Sequence, residues 1–220
     1  MRSRPRLLDL FCGAGGAAMG YHRAGFDVVG VDCAPQPNYP FEFHQRDALA
    51  FLLLHADEFQ AVHASPPCQG YSALGKGTNG NSHKHPQLLD ATRVLLEQTG
   101  LPWVIENVPQ APINNRVTLC GEMFGLGVIR HRWFESNFLI MQPQHIPHRG
   151  LVRGWRHGKM QDGPYLAVYG RGGYKGTLDE WREAMGIDWM TRVSEFNNAI
   201  PPAYTEYIGQ WLAMEVERAA

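Results

Sequence analysis

The chain has 220 residues, 44% of them hydrophobic, which is enough for one folded core and short of two. Its 20 Lys and Arg against 21 Asp and Glu leave a net charge of −1, so a globally basic nucleic-acid binder is excluded and any duplex contact must come from a local patch. Four scattered cysteines with no CxxC pair argue against a disulfide framework, no apolar run is long enough for a bilayer, and Asp9 breaks the apolar stretch an export signal needs, so a globular protein of a reducing cytoplasm is expected.

In chain order, residues 6–11 predict an apolar strand, Gly13, Gly15 and Gly16 a turn, and 17–24 a helix. Residues 27–31 predict a second strand ending at Asp32, 41–45 a third strand, and 48–54 a short helix. A fourth strand over 60–63, a helix over 87–98 and a fifth strand over 102–105 follow. Further on, 132–140 predicts a strand, and 178–185 and 204–218 predict helices. Strands that alternate with helices predict an α/β fold, a mostly parallel sheet with helices on both faces. Residues 141–178 are rich in Gly, Pro, His and Arg and show no periodicity, so the expected organisation is a core over 1–140, a short insert over 141–178, and a return to the core over 179–220.

The first strand runs through Asp9 and Phe11 into Gly13-Ala14-Gly15-Gly16, a turn that lets backbone approach a ligand and opens a helix whose first N–H groups can receive an anion. Asp32 ends the next strand, where a carboxylate can accept hydrogen bonds from both hydroxyls of a ribose. Together these suggest a nucleoside cofactor; an ordinary strand-to-helix turn is the alternative. Asp47 follows the third strand and is placed either to meet an adenine amino group or to cap the next helix.

Ser65-Pro66-Pro67-Cys68-Gln69 follows the fourth strand. Two prolines stiffen the backbone just before the thiol, on the strand end where open α/β sheets place ligands. Glu106-Asn107-Val108 ends the fifth strand and faces the same edge. The densest basic stretch runs from His145 to Lys159, with Trp155, Tyr165 and Tyr169 available to stack or wedge. His145, His148 and His157 have no cysteine in their own segment, so no metal site is expected there.

In this order the pieces resemble the DNA cytosine-5 methyltransferase family, and specifically its compact bacteriophage members. Phe11-Cys12-Gly13-Ala14-Gly15-Gly16 resembles the cofactor loop, Pro66-Pro67-Cys68-Gln69 the nucleophile motif, and Glu106-Asn107-Val108 the base-binding motif. Arg130-His131-Arg132 resembles the Arg-x-Arg motif and Asn197-Asn198-Ala199-Ile200-Pro201-Pro202 the closing segment. The resemblance implies a Rossmann-like S-adenosylmethionine-dependent fold with S-adenosylhomocysteine as product. It implies Cys68, Glu106 and Arg132 as catalytic residues and Asp9, Phe11, Gly13, Gly15, Gly16, Asp32, Cys33, Asp47, Pro67 and Asn198 as cofactor-binding. It implies Gln69, Ser72, Asn107, Val108 and Arg130 as substrate-binding and no metal. The implied partner is double-stranded DNA with the target base flipped out, in the cytoplasm of a bacterial host, with a role in DNA modification; the oligomeric state is left open.

Two positions depart from the family pattern: Val128 stands where a glutamine is usual, and Asn197 where a glycine is. The insert is also short, about 40 residues between Asn137 and Leu178. A single small module covers roughly 600–1,000 Å² of nucleic acid, so recognition should be brief or relaxed. Methylation of a free cytosine nucleotide such as dCMP, and a non-catalytic DNA-binding protein on the same fold, are the alternatives.

Overall fold

Alternation along the first strand decides the layering. In the computed structural model, which describes residues 3–68, 87–145, 147–156, 158–169 and 175–219, strand β1 (Arg6–Leu10) sends Leu7 into one apolar cluster and Leu8 and Leu10 into another. A strand buried on both faces belongs at the centre of a sheet. β1 is hydrogen-bonded between β2 (Asp27–Asp32) and β4 (Ala61–Ala64), both parallel to it. Outside them lie β3 (Glu42–Gln45) and β5 (Trp103–Asn107), also parallel.

Two further strands close the far edge. β6 (Val117–Leu119) and β7 (Arg132–Ser136) give the order β3-β2-β1-β4-β5-β7-β6, with β7 antiparallel to both neighbours. Among the described residues, α1 (Gly16–Arg23) and α6 (Pro202–Ala219) cover one face, where Tyr21, Tyr204 and Ile208 are buried. The opposite face is covered by α2 (Ala48–His55) and α3 (Leu89–Thr99), through Phe51, Leu52, Leu89 and Leu96. A third cluster joins α4 (Leu178–Met185) and α5 (Val193–Asn198) through Trp181, Met185 and Phe196 to Val128 and Val168. No helix among the described residues is long and apolar enough to cross a membrane.

The expected strands and helices are present, with four differences, one of them α5, a six-residue helix too short to show a period. The strand expected over 132–140 stops at Ser136. Asn137 ends it: its side-chain oxygen accepts the N–H of Trp103 at 2.9 Å and its amide donates to the carbonyl of Leu101 at 2.8 Å, replacing the ladder. β6 was not anticipated, because a three-residue strand has no measurable alternation. Segment 141–178 is not wholly irregular: β8 (Gly154–Arg156) and β9 (Lys159–Gln161) pair as an antiparallel ribbon. Tyr165, expected to be free to stack or wedge, is 9% exposed, and its backbone is bridged to Val152.

The topology positions the site. β1 has neighbours whose connections leave in opposite directions, a reversal point in an open α/β sheet where ligands bind beyond the strand ends. Phe11, Asp32, Ser65 and Asn107 all stand at or just past those carboxyl ends. β7 runs the other way, so its first residue, Arg132, arrives at the same edge.

Candidate active site

Glu106 and Arg132 meet because of that reversal. Glu106 pairs in register with Phe134, and Arg132 Nε stands 2.9 Å from Glu106 Oε1. The approach is off the hydrogen-bond line, so Oε1 has a charged neighbour but no aligned donor among the described residues. Burial raises the Glu106 carboxyl above its ordinary range, against the opposing pull of Arg132 and of a hydrogen bond from Ser65. The result is a buried acid shifted toward its protonated form, with Arg132 beside one of its oxygens.

Asn107 fixes the cysteine loop to this strand. Its amide donates to the carbonyl of Pro66 at 3.0 Å while its own oxygen accepts the N–H of Val108 at 2.9 Å. The loop is thereby fastened two residues before Cys68, whose side chain is half-buried. Burial raises the Cys68 thiol, the Glu106 carboxylate adds to the rise, and Arg132 and Arg130 oppose it. Pro67 and Val108 are half-buried beside these groups in sequence; Gln69 and Ser72 lie outside the described residues.

A histidine that sequence reasoning passed over supports the same acid. His63 is fully buried in β4, with Nδ1 2.9 Å from the Tyr21 hydroxyl and Nε2 2.9 Å from the Ser65 hydroxyl. Burial holds its pKa down to about 3, so the ring is neutral and has one donor and one acceptor nitrogen. A Ser65 hydroxyl that donates to Glu106 must accept from Nε2–H, which leaves Nδ1 to accept from Tyr21. The signal in the sequence was a histidine inside the otherwise apolar run Ala61-Val62-His63-Ala64.

The glycine turn lies across the edge. Phe11, Gly13 and Gly15 all have positive φ, at 56°, 49° and 82°. A Cβ on Gly13 would meet nothing within 4 Å, so open space lies above it. Asp32 accepts the N–H of Gly13 at 3.1 Å on one oxygen and that of Ala34 at 2.9 Å on the other. Each oxygen keeps a second lone pair, which is the capacity a ribose diol needs. Asp9 is buried; burial pushes its carboxyl well up, Tyr39 donates to one oxygen at 3.4 Å, and the other has no partner among the described residues.

These placements can be set against known proteins. The sequence model of C-5 cytosine-specific DNA methylases matches residues 5–119. The chain belongs to this family. It is similar to the type II methyltransferase M.HgiDI of Herpetosiphon aurantiacus, 30% identical over 172 residues that make up 71% of this chain and 54% of that protein. It is also similar to M.HgiGI of the same organism, 28% identical over 120 residues, 50% of this chain and 94% of that one. The chain thus spans about half the length of the first relative. In fold it matches the S. pombe Dnmt2 methyltransferase, with a TM-score of 0.63 at 15% identity, covering 97% of this chain and 99% of that one.

Other motif positions of this chain have structural tasks. Arg130 is buried, with one terminal nitrogen 2.8 Å from the carbonyl of Val168 and the other 2.6 Å from that of Asn197. It therefore clamps segment 141–178 and the closing segment to the sheet, and among the described residues its contacts are with backbone. Gly16 is a packing position: a Cβ there would come within 2.4 Å of the Ile200 carbonyl. Asp47 caps α2, accepting the N–H of Ala50 at 2.8 Å. Cys33 is exposed and accepts Gln45 on its carbonyl, and Asn198 is exposed at the end of α5. Val128 is 1% exposed and faces Gly121, so its apolar side chain fills a core position.

Proposed function

We propose that the chain transfers a methyl group from S-adenosylmethionine to carbon 5 of cytosine in DNA, through a covalent adduct between Cys68 and carbon 6. One observation carries the reading: a buried, proton-biased Glu106 paired to Arg132 at 2.9 Å, on a strand whose Asn107 holds the Cys68 loop. The family supports cytosine in DNA as the substrate.

The open space over Gly13 and the remaining acceptor capacity of Asp32 fit a nucleoside carrying an amino-acid tail. Phe11, Gly13 and Gly15 would hold the methionine end and Asp32 the ribose, with Asp47 toward the adenine. Bound there, S-adenosylmethionine would supply the electrophilic methyl that carbon 5 accepts.

The protein groups govern the cytosine ring. Cys68 loses its proton to solvent and its thiolate forms a bond to carbon 6, while Glu106 passes its proton to N3, so the ring electrons move to carbon 5. Arg132 stabilises charge at O2. Proton donation by Glu106 would leave it anionic and paired to Arg132, offsetting the charge it develops. After methylation the carbon 5 proton leaves to solvent, the carbon–sulfur bond breaks, and Cys68 departs as thiolate while N3 returns its proton to Glu106. Segment 141–178 is the proposed recognition element, and the target base is taken out of the duplex to reach Cys68.

The test is labelled S-adenosylmethionine with duplex DNA, single-stranded DNA and dCMP in parallel, read by nucleoside mass spectrometry. The expected product is 5-methylcytosine in duplex DNA; methylation of dCMP alone would replace the polymer with a free nucleotide. Cys68→Ala should abolish turnover with cofactor binding retained, and 5-fluorocytosine in the duplex should trap the native chain covalently. Methylation by Cys68→Ala would sink the mechanism.

A further inference from the structure

We propose that Cys120, His131, His145 and His148 form a four-ligand zinc site that fastens the start of segment 141–178 to the arginine strand. One donor atom from each residue lies within 4.8 Å of all the others. A tetrahedral zinc ion with Zn–N near 2.0–2.1 Å and Zn–S near 2.3 Å needs donors roughly 3.3–3.8 Å apart, so small side-chain rotations close the shell. His131 Nε2 and His145 Nε2 are 3.0 Å apart, and the three ring centroids are each 5.1 Å from the other two.

The surroundings have the form of a ligand shell. His148 Nδ1 is 2.6 Å from Glu122 Oε2, and the other Glu122 oxygen accepts the N–H of Arg149 at 3.3 Å. A carboxylate that takes Nδ1–H fixes the tautomer and leaves Nε2 with its lone pair bare, the usual second contact of a metal-bound histidine. Cys120 is buried, and the backbone N–H groups of Glu122, Arg130 and Gly121 lie against its sulfur.

Three imidazoles and one cysteine sulfur, with no carboxylate among the four donors, select zinc over calcium or magnesium. Four protein ligands leave no position for a reacting water, so the site is structural. Cys120 follows β6, His131 sits between Arg130 and Arg132, and His145 and His148 open the recognition segment. The ion therefore joins three pieces of chain around Arg130 and Arg132. The sequence alone groups His145, His148 and His157, the last of which lies outside the described residues; folding instead places His131 and Cys120 beside the first two, with Cys120 across β7 from His145 and His148.

The test measures metal rather than methyl transfer, so it is independent of the proposed reaction. The full chain, purified without a polyhistidine tag from zinc-supplemented cells, should contain about one zinc per chain by mass spectrometry. Cys120→Ser and His148→Ala should each lose it, whereas Cys33→Ser, at an exposed cysteine outside the cluster, should keep it. Reconstitution of the native chain with cobalt(II) should give the intense visible bands of a tetrahedral ion and a near-ultraviolet thiolate charge-transfer band. Glu122→Gln should weaken zinc about ten- to hundredfold in competition with a chelating dye. A folded native chain that binds neither ion, or zinc retained in both ligand variants, overturns the proposal. If the ligand variants do not fold, the native cobalt spectrum decides, and absence of the thiolate band overturns it.

Discussion

His63 shows how much a single buried ring can set. It is neutral between two hydroxyls, with its pKa depressed from 6.5 to about 3 by burial. A depressed histidine gives stability that is full above the unfolded value and is lost as pH falls toward the folded one. Between about pH 6.5 and 3 the unfolded chain binds one more proton at this residue, an added slope of about 1.4 kcal/mol per pH unit. His63→Gln should remove that slope: less stable than the native chain at pH 7.5, with the gap narrowing at pH 5. Urea unfolding at both values measures it, and parallel profiles would falsify the assignment. At the same scale Cys68, Glu106 and Arg132 were legible as residue types at motif spacings. The approach of Arg132 to Glu106 and the Asn107 tether were not, because each depends on which atom a neighbour turns toward it.

Among the elements, the join between α1 and α6 separates two kinds of glycine. Gly16 and Gly20 lie where α6 and the chain leading into it press on α1; added Cβ atoms would come within 2.4 Å of the Ile200 carbonyl and 2.2 Å of the Pro202 carbonyl. Thr205 in α6 donates to the carbonyl of Ala17 at 2.8 Å, so the approach is close and polar as well as apolar. Gly16→Ala should cost about 1–3 kcal/mol of stability through overpacking. Gly13→Ala meets open space and should cost only about 1 kcal/mol from its positive φ, while weakening cofactor binding more than Gly16→Ala relative to its effect on stability. Thermal melts with and without S-adenosylmethionine distinguish them; equal stability losses would refute the division. The core helices and the central strands were legible from apolar periodicity, whereas α5, β6 and the ribbon β8–β9 were not. The end of β7 was not, since Asn137 ends it through contacts with β5 and the turn before it.

For the whole molecule, the near-neutral charge leaves the proposed DNA contact to a local surface, and the ribbon β8–β9 offers one. Trp155 is 54% exposed and Met160 45%, on adjacent strands paired in register. Trp155→Ala should weaken duplex binding by about 1–3 kcal/mol if the ring stacks on a base. Its exposure predicts stability within about 0.5 kcal/mol of native. Fluorescence anisotropy with a labelled duplex at two salt concentrations reads the first and a thermal melt the second; undiminished binding would move recognition elsewhere. What the sequence by itself determined was the α/β alternation and the ordered motifs, because strand periodicity and reacting residue types are local properties. The tertiary structure decided the rest. An antiparallel β7 brings Arg132 to Glu106, Arg130 holds two backbone carbonyls far apart in the chain, and Cys120 joins three histidines. Such encounters depend on which strand lies beside which, and that is fixed only when the sheet closes around its core.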